Sequence, residues 1–79
     1  MNPELVYLPG WEGAVLNASE WLREHLDLPY WKFMDEPFAE YFGCEIYREM
    51  MDPPFEQYPA RVYAVFTEQA AVEFLLRWS

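Results

Sequence analysis

Cys44 and His25 are the only cysteine and the only histidine in this chain. Those two side chains most often carry nucleophilic or metal chemistry, so their scarcity excludes a good deal. One cysteine leaves no internal disulfide framework and makes a reduced, cytoplasmic setting the expectation. One Cys and one His cannot supply a zinc site within a single chain. The three glycines, Gly10, Gly13 and Gly43, belong to no phosphate-binding or dinucleotide pattern. The five Lys and Arg are spread along the chain and do not make the basic groove that base-stacking proteins pair with their aromatics. Direct nucleic-acid binding is therefore not expected. No apolar run approaches the roughly 18 residues that a membrane span requires. The opening Met-Asn-Pro-Glu-Leu-Val-Tyr has neither a basic region nor a long apolar stretch, so no secretory signal is expected.

What the chain has in excess is negative charge and aromatic surface. Fourteen Asp and Glu give a net charge of -9, and seven of them fall between Asp35 and Glu56, with Arg48 as the sole cation there. A field of that sign repels phosphates and attracts basic protein surfaces. The 79 residues make one domain, and 53% of them are hydrophobic and 20% aromatic. A chain this short buries only about 60% of its unfolded surface. A few rings of roughly 150–250 Å² each would fill its core, leaving others for the surface or an interface.

Glu4 to Leu8 reads as a short strand ended by Pro9-Gly10. From Trp11 a helical period sets in, with Trp11, Ala14, Val15, Ala18, Trp21, Leu22, His25 and Leu26 on one face and charged residues opposite. Pro29 marks its end. Tyr30 to Met34 is rich in aromatic side chains and reads as a second strand. Asp35-Glu36-Pro37 suits a helix start, and Phe38, Phe42, Ile46 and Met50 repeat every four residues, which predicts a helix from about Glu36 to Met51. Gly43 in its middle is a possible break. Phe55 to Pro59 reads as a turn or loop. Arg61 to Phe66, apolar on both sides, predicts a central strand. Thr67 then caps a final helix over Glu68 to Trp78 that buries Ala71, Val72, Leu75 and Trp78. Glu73 and Arg77 have the spacing of a helical ion pair.

The resulting fold class is α+β: a small three-stranded split β-α-β sheet, its last strand antiparallel between the others, with two helices on one face. A parallel crossover from the first strand to the second should be right-handed. The acidic stretch, about 35–58, becomes a helical insertion at the sheet's edge or across its open face.

Each reactive residue has a plain structural role beside any chemical one. His25 lacks an orienting partner, since Glu24 points about 100° away around the helix, and packing is the expected role. Cys44 has neither a cation nor a helix N-terminus beside it and reads as a partly buried, inert thiol. Glu20/Glu24, Glu36/Glu40 and Glu45/Glu49 are i,i+4 pairs that could serve as acid and base or hold a hard cation. They equally form a solvated helix face, and no calcium-loop pattern accompanies them. The middle stretch joins Asp35, Glu36, Glu40, Glu45, Glu49, Asp52 and Glu56 to Tyr41, Tyr47, Tyr58 and the Met50-Met51 pair. Tyr and Met are enriched in interfaces, and surrounding acids steer a basic partner. The candidate partner-binding set is Asp35, Glu36, Glu40, Tyr41, Glu45, Tyr47, Glu49, Met50, Asp52 and Glu56. No catalytic residue, metal ligand or cofactor site is assigned.

The tail from Arg61 to Trp78 resembles the ending of many small bacteriophage proteins, in which a hydrophobic strand leads into a helix with an Ala-Val-x-Phe-x-Leu-x-Trp-like pattern. Here Ala71, Val72, Phe74, Leu76 and Trp78 hold those positions, and Glu20 to His25 is similar to theirs as well. The motif consists mainly of packing residues and carries no active site, and the acidic stretch departs from it. The resemblance implies a phage protein similar in size and charge to anti-CRISPR and anti-restriction inhibitors, several of which occupy the basic nucleic-acid channel of a host defence complex. The expectation is therefore a non-enzymatic inhibitor docking on a basic host protein in the cytoplasm, without direct contact to nucleic acid or membrane. A homodimer formed through the aromatic surface, or a carboxylate- or metal-dependent hydrolase, are the alternatives.

Overall fold

A computed structural model describes residues 4–56 and 59–79, with Pro59 described in its backbone alone. The element order is β1 (Leu5–Pro9), α1 (Gly13–His25), α2 (Asp35–Phe42), β2 (Glu45–Met50), β3 (Pro59–Thr67) and α3 (Glu68–Trp78). The strands form one sheet in the order β1-β3-β2, with β3 antiparallel to both neighbours. The α+β class and the central place of the last strand are as the sequence predicts. All three helices pack on one face of the sheet and the other face is left open. The overall extents of 39 × 38 × 19 Å suit one sheet and one helix layer.

Along β3, Ala64 and Phe66 turn toward the helices, and Val6, Leu8 and Ile46 join them from the flanking strands. Strand alternation sends Tyr63 and Val65 to the opposite face. On the helix side the core is Ala14, Val15, Ala18 and Leu22 of α1, Phe38 of α2, and Ala71 and Phe74 of α3. Leu22 and Phe38 are almost wholly buried, and each such side chain contributes about 1.5–3 kcal/mol. Phe74 lies at the centre of a ring cluster, with Phe66 at 4.8 Å, Phe42 at 5.3 Å and Phe38 at 6.0 Å between centroids.

The helix ends follow local chemistry. Trp11 lies outside α1, which starts at Gly13 with φ 65°. At the other end Asp27 takes φ 52°, and its N–H and that of Leu28 donate to the carbonyls of Glu24 and Arg23 at 3.1 and 2.9 Å. That is a Schellman closure, and it satisfies carbonyls the helix leaves unpaired. Thr67 Oγ1 caps α3 by accepting from the Ala70 N–H at 3.4 Å. Asn17 Nδ2 donates to the Trp78 carbonyl at 3.2 Å, tying α1 to the end of α3.

Five predictions need correction. Tyr30 to Met34 is no strand: it is a loop held by an Lys32 N–H bond to the Pro29 carbonyl at 3.1 Å and by Arg23, which donates to the carbonyls of Pro29 and Lys32. Aromatic content favours a pleated, half-buried surface, but the β3 edge is taken by Glu45–Met50, whose Ile46 reaches the core. The single helix from Glu36 to Met51 does not exist either. Gly43, at φ 65° and ψ 39°, ends α2 in the left-handed conformation, which glycine adopts without steric cost. The acidic stretch is accordingly not an insertion, since it supplies a helix and an edge strand of the fold itself. In α3, finally, Val72 is half-exposed while Phe74 is buried. Arg77, expected beside Glu73, lies over the Trp78 and Trp21 rings at 5.0 and 5.8 Å.

Candidate functional site

The open face of the sheet gathers large apolar side chains from all three strands. Tyr7 sits across from Val65, and Tyr47 sits across from Tyr63 in the β2–β3 register. The Tyr7 and Tyr47 rings meet edge to face at 5.6 Å, Tyr63 lies 6.2–6.3 Å from both, and Trp11 stands 5.3 Å from Tyr63. These are favourable aromatic geometries. Beneath them Val65 is only 7% exposed, although no helix covers this face, while Tyr7, Tyr47, Trp11 and Leu5 are each about half-exposed. The rings thus form a pre-built apolar platform, roofing one valine and offering their outer surfaces to solvent. Glu45 and Glu49 flank Tyr47 on the same side of β2, and Arg61 is the cross-strand neighbour of Glu49.

The ten residues singled out from the sequence separate into several places. Glu45, Tyr47 and Glu49 come together on the open face. Asp35 does not join them: its Oδ2 accepts from Arg48 Nε at 2.8 Å and from the Arg48 guanidinium a second time, the one ion pair among the described residues. Glu36 and Glu40 are exposed on α2 and border a groove of about 460 Å³ with Trp31, Phe33 and Arg48. Tyr41 belongs to a third place, edge-on to Trp21 at 5.7 Å and to His25 at 5.9 Å. Met50, Asp52 and Glu56 are exposed at the end of β2 and in the segment after it. Tyr58 lies outside the described residues. The strand geometry of β2 also corrects the Glu45/Glu49 pair, whose carboxylates share a sheet face and not a helix face.

Sequence reasoning missed Tyr7, Trp11 and Tyr63 as members of a site. The available signal was the strand period, which puts Tyr7 on one face with Leu5 and Tyr63 on one face with Val65, whereas the apolar run from Arg61 to Phe66 was read only as a mark of a central strand. It also missed the exposure of Tyr30, Trp31 and Phe33, which stand 89%, 71% and 86% open to solvent.

The reactive singletons are quiet. His25 is stacked on Trp21 with centroids 4.5 Å apart and planes 13° from parallel, a packing arrangement at the helix surface. Cys44 is partly buried, and that burial pushes its thiol up to about 11, with Glu45 adding to the rise. A thiol so shifted is a poor nucleophile near neutral pH. Among the described residues no three of His, Cys, Asp and Glu converge as metal ligands, and no helix is long and apolar enough to cross a membrane. Compared with known protein families, characterised proteins and solved structures, the chain matches none.

Proposed function

We propose that this chain is a non-enzymatic, acidic protein-binding module that docks its open sheet face on a cationic surface of another protein. The observation that carries the reading is the Tyr7–Tyr47–Tyr63–Trp11 platform, in which Tyr7, Tyr47 and Trp11 are half-exposed, with Glu45 and Glu49 at its side. An interface of this kind has aromatic anchors at its centre and charge at its rim, the first giving affinity and the second steering and register. Self-docking through the same face is opposed by the net charge of -9 on each copy. Within the class of cationic partners, a nucleic-acid-binding surface of a host defence protein fits best. There the carboxylates would stand where phosphates bind, and the chain would act as an inhibitor, as its likeness to small phage proteins implies.

The test is capture of cationic proteins from a bacterial lysate by the tagged chain, followed by affinity measurement on the purified partner. Tyr47→Ala should weaken binding by about 2 kcal/mol, the size of an interface hot spot. Glu45→Lys with Glu49→Lys should slow association and flatten its dependence on salt. Nucleic acid should compete with the partner. A captured protein indifferent to all of these changes would remove the proposal, and a salt-resistant dimer in sedimentation would replace it with the homodimer.

A further inference from the structure

The two edges of the sheet are not alike. β1 is five residues long and ends in Pro9, which has no N–H to offer a further strand. β2 runs six residues, Glu45–Met50, without a proline, and pairs with β3 along one side only. Every β2 residue except Ile46 is exposed. An edge of this kind presents a row of backbone donors and acceptors that an extended segment can complete.

Acidic pairs lie on both sides of this edge. On the open face Glu45 and Glu49 bracket Tyr47. On the helix face Arg48 of β2 forms one wall of the groove whose others carry Glu36 and Glu40 of α2 and the exposed rings of Trp31 and Phe33. Arg48 does not oppose a cation there as a free charge, because Asp35 holds it. Glu36 and Glu40 outnumber Lys32, the remaining cation of that groove. A strand laid along β2 would send alternate side chains to the two faces. One set would meet glutamate, tyrosine, glutamate in sequence. The other would enter a groove with carboxylates on one wall and aromatic faces on another, a setting that favours cations twice over.

We infer that β2 accepts an extended, lysine- or arginine-rich segment of the partner as a fourth strand, with cationic side chains on both faces of the added strand. This rests on the protein-binding reading above and says how one part of the partner is gripped. A second copy of this chain is a poor occupant, because it would bring another Glu45 and Glu49 against the first.

The probe is the seven-residue peptide Lys-Lys-Val-Lys-Lys-Val-Lys, which as a strand carries lysines on both faces, acetylated and amidated, titrated into the isotope-labelled full chain and followed by amide NMR and hydrogen exchange. Binding should shift the Glu45–Met50 amides and slow exchange of those facing outward by at least tenfold. Two further peptides carry backbone N-methyl groups on one or the other alternate set of amides. One should lose at least tenfold in affinity and the other should bind nearly as the parent does, because only one set faces β2. Glu36→Gln with Glu40→Gln, and separately Glu45→Gln with Glu49→Gln, should each weaken the parent peptide about threefold while leaving the free spectrum intact. If both methylated peptides bind like the parent, if shifts centre away from β2, or if no peptide binds, the strand-addition inference falls. Tyr47-dependent capture of a cationic protein would then still stand by itself, so the two readings fail separately.

Discussion

Cys44 follows Gly43, in the short link between α2 and β2, where packing against the core keeps its thiol from full hydration. Removal from water penalises the thiolate, and the neighbouring Glu45 carboxylate does so again. The folded thiol is raised from an ordinary 9.0 to about 11, so between those values the folded chain keeps a proton that the unfolded chain has lost. Stability from this group is therefore fully present below about pH 9 and is lost as pH rises from there to about 11. A melting temperature followed across that window should fall further in the wild type than in Cys44→Ala. Iodoacetamide at neutral pH should label the folded chain roughly a hundredfold more slowly than the urea-unfolded chain. Equal labelling rates would show the thiol to be open and ordinary.

At the scale of elements, Gly43 is the position on which the middle of the chain turns. An added Cβ there meets nothing within 4 Å, yet φ is +65°, so the whole cost of a side chain falls on the backbone. Gly43→Ala should destabilise the fold by about 1 kcal/mol and Gly43→Asn by less, since asparagine tolerates the left-handed region better. Urea denaturation measures both. A gain in stability for the alanine variant would mean that α2 prefers to run on toward Met50, as the four-residue spacing of Phe38, Phe42, Ile46 and Met50 suggests by itself. That spacing is ambiguous for a physical reason: four residues is close to a helical turn and is also twice the strand period. Phe38 and Phe42 use it as a helix, and Ile46 uses it as a strand residue pointing inward.

The whole molecule is a thin, two-layer body with a net charge of -9, and among its described residues only one ion pair offsets that charge. Self-repulsion of this kind opposes the compact state and is screened by salt. Raising sodium chloride from about 10 mM to 0.3 M, which shortens the screening length from roughly 30 Å to below 8 Å, should stabilise the free protein by about 1 kcal/mol, or some 4–8 °C in Tm for a domain of this size. Calorimetry checks it. The same salt should weaken partner binding, so opposite responses of folding and association separate general repulsion from an interface. Parallel loss of both would place the acids in internal pairing instead.

β1, α1, β3 and α3 were legible because each announces itself within a few residues: a Pro-Gly stop after Leu8, a four-turn apolar stripe, an apolar run before Thr67, and a threonine cap. The candidate site was legible only in part. Glu45, Tyr47 and Glu49 were named, while Tyr7 and Tyr63, the rings they stand beside, were not. Charge sign, the poverty of nucleophiles and ligands, the apolar face of α1 and the α+β class are properties of composition and short-range period, and the sequence alone decides them. Which of two short segments becomes the edge strand, which acids lie on which side of it, and whether Tyr7 meets rings more than 35 residues away depend on strand pairing across long loops. Such pairing is decided by the competition of distant segments for one edge of β3, and no local pattern records the outcome of that competition.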